Sequence, residues 1–138
     1  MNVEIHWLGV FLAAVSSMAV GSIWYAKGVF GAKWQNLVGL KDEQMKKGAA
    51  KALAWTFVMS LLTAYILAHF VELSHSFYHY SYVQTGLTTA FWAWLGLVFT
   101  RVVTHDLFEQ RKMALTTLTI SNELVTLLAM GLVIGLVR

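Results

Sequence analysis

The chain has 138 residues, of which 58% are apolar and only 12% charged, and its mean hydropathy is +0.63. A soluble domain carries about 25% charged residues, so a water-soluble globule is excluded, and the absence of cysteine excludes disulfides, zinc–thiolate sites, iron–sulfur clusters and thiol nucleophiles. The net charge of +3 would suit nucleic acid, but the lysines flank apolar runs, where anionic lipid attracts them equally well, and no nucleic-acid partner is expected.

Four apolar runs, at about residues 5–26, 52–73, 83–103 and 115–137, each match the roughly 20 residues a helix needs to cross about 30 Å of hydrocarbon. The expected fold is all-α: a single domain forming an integral membrane four-helix bundle. The opening MNVEIHWLGV carries Glu4 and no Lys or Arg, unlike a secretory leader, so the first run is expected to be retained. Its Gly9, Ala13, Ser17 and Gly21 recur every four residues, the spacing that lets helix backbones approach closely in lipid.

Residues 28–50 join the first two spans. Phe30, Trp34, Leu37 and Val38 recur at helical spacing with Lys33 and Asn36 opposite, which predicts a short cytoplasmic interfacial helix ended by Gly39. Asp42 and Glu43 then open a second helix, expected to run through Met45 and Lys51 into span two. Between spans one and two lie Lys27, Lys33, Lys41, Lys46, Lys47 and Lys51, while Arg101, Arg111 and Lys112 flank the turn between spans three and four; the other side offers only Arg138. That asymmetry predicts a multi-pass protein of the cytoplasmic (inner) membrane with both termini outside.

Span two repeats Ser60, Ala64 and Ala68, and ends among residues that admit two readings. His69, Glu72 and His75 are spaced by three and, with His6 and His79, are candidate ligands for a metal, or for haem through His6 and His69. Alternatively they belong to the aromatic headgroup belt with Phe77, Tyr78, Tyr80 and Tyr82. The sequence requires no cofactor.

Span three carries Gly86 and Ala90, with Ala93 and Gly96 nearby, and places Trp92 and Trp94 away from the interfaces where Trp usually anchors. These indoles, with Phe91 and Phe99, either pack between spans or line a groove for a lipid, quinone or pigment. The absence of proline removes one common means of breaking a span. Arg101, His105, Asp106, Glu109, Arg111 and Lys112 read as a solvated face of local ion pairs.

Span four ends in Gly131 and Gly135 and contains Glu123, roughly 12 Å from its cytoplasmic end at helical rise. An ionisable side chain at that depth is costly and is a candidate functional group. The same count along the other spans reaches Ser17, Ser60 and Trp94, with Asn122 beside Glu123, so a candidate polar layer lies across all four helices. Glu123 either binds a proton or cation there, or is a protonated carboxyl that fixes helix register, or contacts a second copy.

No serine elbow, phosphate-cradling glycine loop or paired carboxylates appear in a span, and no enzyme is expected. Small-residue stripes in every span favour an accessory subunit in a homo-oligomer or larger membrane complex, embedded in the lipid bilayer. The alternatives are a small proton or cation transporter using Glu123, and a metal or haem binder at the outer histidines.

Trp24, Tyr25, Phe30, Gly31 and Trp34, then Gly39 and Leu40 before an acidic helix start, Trp94, Leu95 and Gly96 in span three and Asn122 in span four carry a family likeness. Over essentially its whole length the chain resembles the small prokaryotic membrane proteins grouped as domain of unknown function 1761. The resemblance implies a four-span protein of bacterial cytoplasmic membranes without an assigned activity. Lys27 stands where the pattern leads one to expect proline, and Glu123 where it leads one to expect a small or apolar residue.

Overall fold

In a computed structural model that describes residues 3–138, the protein is helical, with no strand among the described residues. Four stretches are long and apolar enough to cross a membrane: α1 (Trp7–Trp24), α4 (Ala49–Tyr78), the continuous helical run Tyr82–Phe108, and α7 (Met113–Val137). The third of these comprises α5 (Tyr82–Ala93), a π-helical turn (Trp94–Phe99) and α6 (Thr100–Phe108). Although it lacks proline, this span is interrupted: the wider turn falls at Gly96, and its i→i−5 bonding rotates the residues beyond it relative to an unbroken helix.

The helices run up, down, up and down. Each packs against antiparallel neighbours in the ring α1, α4, α5 and α7, while α4 and α7 touch only thinly across the diagonal. The tightest seams follow the small residues. A Cβ at Gly86 would collide with the Gly131 carbonyl, one at Gly131 with the Gly86 carbonyl, and one at Gly135 would come within 2.6 Å of the Tyr82 carbonyl. Gly9 sits against Val137. Ala13, Ala64 and Ala90 are fully buried, and together with Leu67, Val71, Met130 and Ile134 they form a core lying toward the histidine-rich end of the bundle. Along most of their length, therefore, the stripes of all four spans are spent on contacts inside one chain.

The lysine-rich end is built differently. After α1 the chain turns at Ala26, which is extended, into a π-helical turn (Lys27–Gly31) whose Gly31 has no room for a Cβ beside the Tyr25 carbonyl. Lys27 occupies the first helical position, where a missing backbone donor is tolerated and proline fits well. α2 (Ala32–Val38) follows and packs on α7, with Phe30, Trp34, Leu37 and Val38 half-buried and Lys33 and Asn36 exposed. Gly39 ends it at φ 76°, its N–H donating to the Gln35 carbonyl. α3 (Asp42–Lys46) is opened by the Gln44 side chain, which accepts from the Lys41 N–H at 2.9 Å. It does not continue into span two: Gly48, at φ 88°, separates α3 from α4.

Asp106 also departs from the expected solvated face. It is 6% exposed, accepts from Thr116 Oγ1 at 2.6 Å and from Arg111 Nη1 at 3.3 Å, and so ties the end of α6 to the start of α7. A carboxylate there is tolerated because both oxygens are paired.

A candidate binding cavity around Glu123

α4 has little contact with α7, and α1, α4 and α7 border an open-sided cavity of about 740 Å³ at the lysine-rich end. Ser17, Gly21 and Tyr25 face it from α1 and the residue after it, Thr56, Ser60 and Thr63 from α4, and Asn122, Glu123 and Thr126 from α7. The local cause is spacing. Along α1 and α4 these residues recur every three or four positions, and on α7 Thr126 follows Asn122 by four and Glu123 by three, which puts each set on one face.

Four of the five residues of the candidate polar layer share this wall, and two of them touch: Ser17 Oγ donates to Ser60 Oγ at 2.8 Å and is buried. The layer is not flat. The Gly9–Val137 contact sets the antiparallel register of α1 and α7, so Glu123 falls near the level of Ile23, roughly 9 Å nearer the lysine-rich end than Ser17. Trp94 lies apart from the cavity; its indole N–H donates to the Ile120 carbonyl at 2.9 Å and stitches the third span to α7. Trp92 is 65% exposed on a separate groove between α4 and α5.

Most polar groups of the wall are already partnered. Thr56 and Thr63 donate to the carbonyls of Ala52 and Met59, Ser22 to that of Met18, and Thr126 to Asn122 Oδ1 at 3.3 Å. Glu123 differs: among the described residues its half-buried carboxyl makes no hydrogen bond or ion pair. The one other titratable side chain on the wall is Tyr25, whose hydroxyl lies within electrostatic reach of both Glu123 and Arg111. Thr56, Thr63, Thr126 and Tyr25 escaped the depth count, which follows height alone; the three-to-four spacing of hydroxyls along α4 was the signal that marks them.

At the opposite end the candidate metal and haem residues have other partners. Glu72 pairs with Arg138 at 2.7 Å; Arg138 also donates to the Glu4 carbonyl at 2.6 Å and lies over the Tyr82 ring. His75 stacks on Tyr82 with centroids 3.7 Å apart, and His69 Nδ1 lies 2.9 Å from the Tyr65 carbonyl of its own helix. His6 and His79 are exposed. Among the described residues no three His, Asp or Glu side chains come together as a metal's ligands would.

No curated protein and no solved structure shows significant similarity to the chain. The family described as protein of unknown function (DUF1761), however, matches residues 8–135. With that match spanning all four apolar helices, the chain belongs to the DUF1761 family.

Proposed function

We propose that this protein is a small transporter that binds a proton or a cation at Glu123 and carries it across the membrane. The observation behind this reading is a carboxyl group, without an ion-pair partner among the described residues, on the hydroxyl-lined wall of a 740 Å³ cavity inside the span region. A carboxylate in such a place is costly unless something positive joins it, and a proton or a cation meets that need. The lysine-rich end, where the cavity lies, faces the cytoplasm of an inner membrane, leaving both termini outside. The rival reading, an accessory subunit held by its small-residue faces, loses much of its support because Gly86, Gly131, Gly135, Ala13, Ala64 and Ala90 are used within the bundle, leaving Gly21 and Gly96 without a neighbour.

Reconstitution into liposomes with a pH-sensitive dye inside tests the proposal. An imposed potential should drive proton or cation flux through the native protein, and Glu123→Gln should reduce it to the level of empty vesicles. Flux unaltered by Glu123→Gln would overturn the reading.

A further inference from the structure

We infer that the cation bound at Glu123 is a lipophilic organic cation, which reaches the site sideways from the membrane and lays its apolar part along a groove beside α4. The inference rests on the reading of Glu123 as a cation site and adds the substrate class. Four features of the walls support it.

First, the cavity is unsuited to a dehydrated metal ion. Hard cations take six or more oxygens at about 2.0–2.6 Å, most often with several carboxylates among them, whereas this wall carries one carboxyl and, among the described residues, no cluster of three acidic or histidine side chains. Second, its 740 Å³ falls in the size range of pockets for drug-sized molecules, about 300–1,000 Å³. Third, the same cavity is also lined by Met18, Met59, Met130 and Leu53, together with the Tyr25 ring. Thioethers adapt to irregular apolar shapes, and an aromatic face attracts an organic cation.

Fourth, two further cavities adjoin this one along α4. Thr63 and Leu127 also line a second cavity of about 250 Å³, walled by Ile66, Leu67 and Val98, at the middle of the bundle. Phe70, Ala93 and Leu97 in turn line both that cavity and the groove of about 640 Å³ between α4 and α5. Adjoining through these shared side chains, the three mark out a path along α4 with a carboxyl group near one end, an apolar middle and hydroxyl-bearing side chains at the far end. Leu62, Ile66, Leu97 and Trp92 along it are exposed, so the path opens toward lipid. An amphiphile with a positive head and an apolar tail matches that sequence of surfaces. A small inorganic cation would leave the apolar middle without purpose.

Equilibrium binding of decyltriphenylphosphonium and methyltriphenylphosphonium to the full chain in nanodiscs tests the inference, with partition into protein-free discs subtracted. Saturable binding of both is expected, tighter for the decyl compound and weaker as the medium is acidified, because protons compete for one carboxylate. Glu123→Gln should weaken both by roughly thirtyfold or more, as loss of a desolvated charge partner does. Ala93→Phe, and separately Leu97→Trp one turn on, should narrow the groove and remove the advantage of the decyl chain while leaving the methyl compound bound. Absence of saturable binding, or equal affinity for the two compounds unaltered by either groove substitution, would overturn the inference. The two readings fail separately: Glu123-dependent flux without phosphonium binding sinks the substrate class alone, whereas loss of both sinks the cation site as well.

Discussion

Gly86 and Gly131 hold α5 and α7 so close that a Cβ on either residue would strike the other's carbonyl oxygen. Lipid supplies no hydrophobic drive for helices to associate, so such backbone contact, with the dispersion it brings, is what binds the two spans. The same seam continues through Gly135 to the Tyr82 carbonyl.

A side chain at Gly131 must therefore separate the helices. Gly131→Leu is expected to destabilise the folded protein by about 1–3 kcal/mol or more, the range for overpacking a filled contact. Gly96→Leu provides a control, because a Cβ there meets nothing within 4 Å. Denaturation in mixed micelles measures both, and equal stability of the two variants would contradict the close α5–α7 seam.

Asp106 depends on Thr116. Removing the hydroxyl in Thr116→Val strips the buried carboxylate of its 2.6 Å donor and leaves only the longer contact from Arg111. The expected cost is about 1–3 kcal/mol, that of an unsatisfied buried polar group, and amide exchange should speed up first in the α6–α7 turn. Exchange unchanged in that turn would show that Asp106 draws its support elsewhere.

The turn between α2 and α3 should respond to acid through Asp42. Its carboxyl is held below the usual carboxylate range, mainly because it accepts from Gln35 Nε2 at 2.7 Å and secondarily because Lys27 lies 3.4 Å away. A pKa lower in the folded state than in the unfolded one means that the ionised form supports the turn above the ordinary carboxylate range. The support is lost as pH falls through the lower, folded value. NMR titration of Asp42 should show the depressed midpoint in the native protein and its return toward the ordinary value in Gln35→Ala. An unchanged midpoint in Gln35→Ala would assign the effect to lysine charge alone.

Much of this protein is legible in its residues because membrane physics acts locally. Hydropathy over about twenty residues marks a span, and the small residues at Gly86, Gly131 and Gly135 announce close packing before any partner is known. Gly39 as the end of α2, and the half-buried face made by Phe30, Trp34, Leu37 and Val38, follow from the same short-range spacing. Glu123 stands out for a similar reason: its depth follows from counting residues along a helix of known rise.

What the count cannot supply is rotation, tilt and partner. Trp94 shares the height of the polar residues but its indole N–H goes to the Ile120 carbonyl, because the third span does not border the cavity between α1, α4 and α7. Asp106 belongs to a charge-rich turn in the sequence, yet Thr116 and Arg111 bury it. Composition and spacing determine that four helices form and that a carboxyl sits among apolar neighbours. Only the tertiary arrangement decides that a cavity opens between α1, α4 and α7 at the lysine-rich end. Helix packing is settled by the shapes of all the touching faces at once: alanines and glycines draw the histidine-rich half together, while the larger Met18 and Met59 remain around the gap at the other end.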